Sequence, residues 1–428
     1  MLAIAENPDP LAQMDPQIKR RRTLDAIKRI ILRESLNQPT IIIFEDLHWI
    51  DGETQALLDL LADGIVNVRV LLLVNYRPEY SHAWTNKSYY MQLRLDALER
   101  ESAAEMLSTL LGDGVELNPL KRMVIERTEG NPFFIEEMVQ ALFDEGALVR
   151  NGAVKVGRPL SQLRLPSTVQ GILASRIDRL PAEQKELLQT LGVIGRESLL
   201  GLLGRVVSQA EAQLERMLGD LQAGEFIYEQ PAVGDVEYTF KHALTQEVAY
   251  NSLLIERRKL LHERIGDAIE SIYARSLDDH LAELAHHYSH SDSVAKAVEY
   301  LGRAGQQAMQ RSAYADAIGS LNAATDLLQR LPDSTERIQR ELRLQLTVAP
   351  ALMVVKGWAS PEVVRAFARA RELCERVGDT PEFFPALWGL WNIGSEASCG
   401  PPMSWPNSFW GGRRARTIPR YWCMRTSL

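Results

Sequence analysis

The chain has 428 residues, 46% of them hydrophobic and 24% charged, with 48 Lys plus Arg against 56 Asp plus Glu for a formal charge of −8. That length exceeds one ordinary domain, so two to four are expected, and the composition excludes a wholly disordered or fibrous chain. An acidic balance is also wrong for a protein that coats nucleic acid.

The longest apolar runs, at 40–44 and 70–74, are far shorter than the roughly 18 residues a membrane-spanning helix needs, so no membrane span is expected. Residues 1–10 carry Glu6 and Asp9 and lack the basic start and apolar stretch of a secretory signal. Cys374, Cys399 and Cys423 are too few and too scattered for a disulfide framework. A cytoplasmic location is the expectation.

The first predicted element is an amphipathic helix over 17–36, with Leu24, Ile27, Ile30 and Ile31 at helical spacing and an end near Asn37-Gln38-Pro39. Thr40 to Phe44 is a continuous, largely β-branched run, which suits a parallel strand buried on both faces. Leucines at 57, 58, 60 and 61 predict a helix over 52–62 that Asp51 can cap. A second apolar strand follows over 69–75. Strand, helix, strand in so short a span is a βαβ unit, whose ligands bind at the carboxyl ends of the strands.

After Leu93 strand signals nearly stop, and helices are predicted over 99–111, 117–128 and 132–145, followed by a turn at Asn151-Gly152. From Pro166 come helices over 167–179, 182–194 and 208–222. Two alternating runs, 226–230 and 236–240, then flank a hairpin loop at 231–235, the outline of a winged helix. Residues 253–393 read as helical and Ala-rich. Ala297, Val298, Leu301 and Ala304 find an echo in Ala317, Ile318, Leu321 and Ala324, an offset of twenty rather than the ~34 of a tetratricopeptide array. Residues 394–428 hold three Trp, four Pro, two Cys and five Arg with one acid and no periodicity. Disordered tails are poor in Trp and Cys, so translation out of frame is the preferred reading of this stretch.

Chemistry concentrates at Ile41-Ile42-Ile43-Phe44-Glu45-Asp46-Leu47-His48-Trp49-Ile50-Asp51, a buried strand delivering two adjacent carboxylates at its carboxyl end. This resembles a Walker B motif, in which the acids hold Mg²⁺ and polarise the attacking water. Two acids after an apolar strand are equally what a solvated strand end looks like. The wider strings Phe44 to Asp51, Leu71 to Glu79 and Glu129 to Glu137 resemble the signal-transduction ATPases with numerous domains (STAND). More narrowly, they are similar to large bacterial regulators that join a class III nucleotide cyclase to an AAA-type ATPase and tetratricopeptide repeats. The likeness covers about residues 15–393.

The resemblance implies a fold class: an α/β partial P-loop NTPase followed by an all-α lid, a winged helix and tetratricopeptide-like repeats. The implied domains are 1–98 (ATPase core, second half), 99–160 (lid), 161–252 (winged helix) and 253–393 (repeats), before the anomalous 394–428. It implies roles as well: Glu45 and Asp46 for metal, Asp46 also catalytic through water, Arg77 as γ-phosphate sensor, and Gly130, Asn131 and Pro132 against the adenine. The implied cofactors are ATP or ADP with Mg²⁺, and the implied partners are proteins docking on the repeats. Taken alone, Arg77 is also a plausible surface cation and Gly-Asn-Pro an ordinary helix start.

One departure outweighs the match. A P-loop, Gly-x-x-x-x-Gly-Lys-Ser/Thr, belongs before the acidic strand, because its amides cradle the phosphates. Residues 1–39 contain no glycine. The chain therefore reads as the carboxyl-terminal part of a larger ATPase that neither binds ATP tightly nor hydrolyses it alone, with any cyclase domain absent. Two alternatives stay open, a non-catalytic repeat scaffold and an ATPase-type transcription regulator. Against the second, residues 166–250 carry seven basic and twelve acidic side chains. His280, His286, His287 and His290 fall on one predicted helix and read as surface histidines rather than zinc ligands. The run Lys19-Arg20-Arg21-Arg22 reads as a solvated face.

Overall fold

The structure is a computed structural model and describes residues 15–151, 153–157, 166–207, 209–232, 234–358 and 360–377. It divides into two compact units, one ending at Pro332 and the other beginning at Asp333. Helix predominates in both.

In the first unit α1 (Pro16–Asn37) starts at Asp15, whose carboxylate accepts from the N–H groups of Gln17 and Ile18, with Pro16 at the first helical position. β1 (Thr40–Phe44) and β2 (Val70–Val74) pair in parallel, Thr40 opposite Val70 and Phe44 opposite Val74, joined through α2 (Gly52–Gly64). Asp51 caps α2, accepting from Glu53 N–H at 2.8 Å and Thr54 N–H at 2.9 Å. Leu47, Leu58, Leu61 and Trp84 form the small core here, with Phe44, Leu72 and Val74 packed against it from one face of the sheet.

The other face differs from expectation. Ile41, Ile43, Leu71 and Leu73 are 51–64% exposed. An all-parallel sheet normally has both faces covered; these strands have one, because among the described residues the sheet stops at two strands and α2 shields a single side.

Helices α3 (Arg100–Leu111), α4 (Asn118–Thr128) and α5 (Pro132–Asp144) follow as predicted, and Leu107, Leu120, Val124, Ile135, Met138 and Leu142 fill their core. A hairpin that the sequence reading did not foresee, β3 (Leu148–Asn151) with antiparallel β4 (Ala153–Val156), closes this group. Its strands are four residues long, too short for an alternation to register.

Beyond it lie α6 (Val169–Arg179), α7 (Ala182–Ile194), the three-residue β5 (Glu197–Leu199), α8 (Leu200–Val206), α9 (Glu211–Ala223), β6 (Ile227–Ala232), β7 (Asp235–Phe240) and α10 (Ala243–Asn251). The hairpin β6–β7 is as predicted, while β5, adding to β7 in the order β5-β7-β6, and α8 are new. Leu188, Leu203, Leu218, Leu221 and Phe240 unite helices and sheet in one core.

α11 (Ile255–Ile272), α12 (Leu281–Ser289), α13 (Val294–Gln310) and α14 (Tyr314–Leu328) complete the first unit. The Ala-rich echo places Ala297, Val298 and Leu301 on the buried face of α13, and Ala317, Leu321 and Ala324 on that of α14. Small residues allow close crossing: a Cβ on Gly305 would lie 2.6 Å from Leu321, and one on Gly266 2.7 Å from the Tyr288 ring.

The second unit holds the helix pair α15 (Thr335–Lys356) and α16 (Pro361–Val377), joined by Leu342, Ala370, Leu373 and Cys374 and by Arg369 on the buried Glu341 at 2.6 Å. The anomalous stretch 394–428, and residues 378–393 of the repeat region, lie outside the described residues.

Candidate functional site

Parallel register sets the site. Because Phe44 lies opposite Val74, Glu45-Asp46 and Asn75-Tyr76-Arg77 leave the sheet side by side at its carboxyl end. Two bonds lock the crossing: the Asn75 side-chain oxygen accepts from Asp46 N–H at 2.6 Å, and the Asn75 carbonyl accepts from Leu47 N–H at 3.0 Å. Asp46 sits in the left-handed region, φ 57 and ψ 42, which an aspartate tolerates better than most side chains. A non-glycine residue held there by flanking hydrogen bonds is commonest where a side chain must be aimed.

Asp46 is aimed at a cation far away in sequence. Its Oδ2 accepts from Arg196 Nη1 at 3.0 Å, an ion pair 35–42% exposed that spans 150 residues. Glu45 is exposed, as is Arg77, whose guanidinium lies 5.8 Å from the Trp49 ring centroid. Both nitrogens of His48, between the acids and Trp49, are buried without a hydrogen-bond partner among the described residues.

Gly130, Asn131 and Pro132 build the start of α5. Gly130 has φ +77 and its carbonyl accepts from Leu98 N–H at 2.8 Å, while Asn131 Oδ1 accepts from Phe134 N–H at 3.1 Å and Pro132 takes the first helical position. These are helix-capping roles. The next residue, Phe133, packs on His242 with ring centroids 4.1 Å apart. Arg196 and His242 belong to one sheet edge, since Arg196 precedes β5, His242 follows β7, and the Arg196 carbonyl accepts from Phe240 N–H at 3.1 Å. The same edge thus touches the acid loop through Arg196 and the Gly-Asn-Pro helix through Phe133. Burial, and after it the Lys241 charge, hold the His242 imidazole below its usual pKa.

Arg196 and His242 were missed in sequence because neither carries a local motif; the available signal is that each adjoins a strand end in an acidic segment. A cavity of about 440 Å³ lies elsewhere, lined by Glu136, Glu137, Phe143, Arg150, Glu225 and Lys241, and by none of the predicted site residues.

As oxygen donors Glu45 and Asp46 suit a hard divalent cation. Among the described residues, however, no three His, Cys, Asp or Glu side chains converge as a metal cage would require. Asp46 is already engaged by Arg196, and among the described residues no glycine-rich turn stands opposite. The residues present therefore fit Mg²⁺–nucleotide only in part.

No protein-family model matches the chain. It is 27% identical over 390 residues, 89% of its own length, to an uncharacterized protein of Rhizobium meliloti (strain 1021), and spans only 37% of that relative. Among solved structures it is similar to a signal transduction ATPase with numerous domains (STAND) protein with a tetratricopeptide repeat sensor from Pyrococcus horikoshii. That similarity runs to 12% identity and a TM-score of 0.43 over 90% of this chain and 56% of the other. So distant a likeness carries no functional argument. Among the described residues no helix is long and apolar enough to cross a membrane.

Proposed function

We propose that these 428 residues are the acid-edge, sensor and helical portion of a STAND-type signal-transduction ATPase. In this reading β1–α2–β2 belongs to the nucleotide-binding sheet, α3–α5 form the lid, residues 166–252 a winged helix, and α11–α16 a tetratricopeptide-like scaffold for protein partners. The protein works in the cytoplasm, in a regulator of the cyclase-linked kind. The observation that carries the reading is the in-register parallel pairing of β1 and β2, which brings Glu45, Asp46, Asn75 and Arg77 to one end of a sheet. The bare face at Ile41, Ile43, Leu71 and Leu73 supports a sheet built to be covered by a further layer. The three-stranded β5-β7-β6 sheet packed on helices supports the winged helix.

Without a phosphate cradle the polypeptide holds ATP weakly and does not turn it over. The test is nucleotide affinity and phosphate release by the 428-residue protein with Mg²⁺. The expected result is no binding tighter than about 10 µM and no turnover above the buffer blank. Sustained hydrolysis abolished by Glu45→Gln would overturn the proposal. A non-catalytic scaffold is favoured by a different observation: Val354, Val355 and Trp358, at the end of α15, are 41–51% exposed and offer apolar surface to a partner.

A further inference from the structure

Of the four histidines read from sequence as a surface set, His286 and His290 are exposed and His280 is half-buried, but His287 is buried. His286 and His287 lie on α12 with His290 just beyond its end, and all three face His262 of α11. His262 is 1% and His287 4% exposed. The His262 ring centroid lies 5.7, 5.2 and 5.1 Å from those of His286, His287 and His290, and His286 and His290 are 4.5 Å apart. The surface expectation holds for His286 and His290 and misses His287, which turns inward against His262, an imidazole on another helix that the pattern of one helix does not show. His280 stands apart, stacked on Tyr273 at 3.7 Å.

The hydrogen bond between His262 and His287 tolerates one charged ring but not two. His262 Nδ1 and His287 Nδ1 are 2.9 Å apart, so one must carry a proton and the other must not. His262 Nε2 lies 3.2 Å from the Tyr250 hydroxyl of α10, which either accepts or donates and so suits either tautomer. His290 Nδ1 donates to the His286 carbonyl at 2.8 Å. One extra proton on His262 can still be bonded, through Tyr250; a proton on both Nδ1 atoms sets two N–H groups against each other.

The surroundings give such charge no counter-ion. On α11, Arg258 stacks its guanidinium 4.2 Å over the Tyr250 ring and adds positive charge. Lys259 is taken by Glu256 and Asp292, the Glu263 carboxylate accepts the Ser293 hydroxyl, and Arg257 pairs with Glu186 of α7. On α13, Lys296 binds Asp267 and Glu270. Arg205 is the one charged residue of α8, and α11 carries a further cation in Arg264. Among the described residues no carboxylate bonds to any of the four rings.

We propose that His262 and His287, flanked by His286 and His290, form a proton-operated release, in which acidification parts α12 from α11 and so frees the helical array from the Tyr250-bearing segment. Burial first, then the neighbouring imidazoles, push His262 and His287 down to about 3 from the ordinary 6.5. Groups depressed in the folded state stabilise it fully above pH 6.5 and lose that effect as pH falls toward the folded value. Relative to pH 7.5, each of the two histidines raises the opening equilibrium roughly fourfold at pH 6 and roughly thirtyfold at pH 5.

The experiment is amide hydrogen exchange of the full chain at pH 7.5, 6 and 5, corrected for intrinsic rates. Opening of α11 and α12 should rise at least thirtyfold by pH 5 while α3–α5 change far less, and His262→Gln/His287→Gln should flatten the response. Equal pH responses in the two regions of the wild-type protein would overturn the proposal. Should the double variant not fold, imidazole titration by NMR on wild-type protein decides. His262 or His287 titrating near 6.5 with α11 and α12 still protected refutes the release, and titration only together with loss of protection supports it.

Discussion

Arg176→Met should reveal how α5 is fastened to the hairpin-bearing segment. The Arg176 side chain is 2% exposed and reaches four partners at once: Glu137, itself 5% exposed, Asp144 at 3.0 Å, the Gly224 carbonyl at 2.7 Å and the Phe226 ring at 4.7 Å. Removing the cation strands Glu137. A buried charge deprived of its partner costs about 3–5 kcal/mol, but a carboxylate can escape by taking a proton. Raising Glu137 from its ordinary 4.5 to pH 7 costs about 3.4 kcal/mol, and only about 0.7 kcal/mol at pH 5. The lost bond to Gly224 and the lost ring contact add about 1 kcal/mol each at either pH. The variant should therefore be destabilised by about 5 kcal/mol at pH 7 and by roughly half that at pH 5. Burial already places Glu137 above its usual pKa despite Arg176, so even in the wild-type protein its contribution to stability falls as pH rises through that raised value. Urea unfolding at the two pH values measures both penalties. Equal penalties would show that Arg176 acts through packing and not charge. Arg176→Met/Glu137→Met should recover most of the loss, and failure to do so would refute the same reasoning.

The Asp46–Arg196 pair is about a third exposed, so a double-mutant cycle with Asp46→Ala and Arg196→Ala should give a coupling of no more than about 1 kcal/mol that shrinks in 0.5 M salt. Zero coupling at low salt in thermal melts would mean that the contact holds nothing together. Asp51→Ala should destabilise α2 by about 1 kcal/mol at neutral pH. Burial tends to raise the Asp51 carboxyl, but the Thr54 hydroxyl and the N–H groups of Thr54 and Glu53 outweigh it and hold the group below 3.8. That contribution is present above pH 3.8 and lost as pH falls through the lower folded value, so wild type and variant should converge in strong acid. Parallel melting curves down to pH 2 would contradict it.

Most elements were legible in the sequence. The run Thr40–Phe44 and its partner Val70–Val74 were located to within a residue, and Asp51 proved to cap α2 as expected, because apolar runs and caps act over a few neighbouring residues. Glu45, Asp46 and Arg77 fell at adjacent strand ends because a helical crossover is long enough to return the chain parallel to itself. Elements with little local signal were lost, namely the hairpin β3–β4, the three-residue β5 and the short α8.

The sequence by itself determined where most strands and helices lie, which acids end β1, and that residues 1–39 hold no glycine. Only the tertiary structure decided that one sheet face stays bare, that Arg196 reaches Asp46 across 150 residues, and that His262 completes a ring of histidines with α12. Periodicity and capping depend on neighbours along the chain. Charge pairing and burial depend on neighbours in space, which a linear pattern of residue types does not encode.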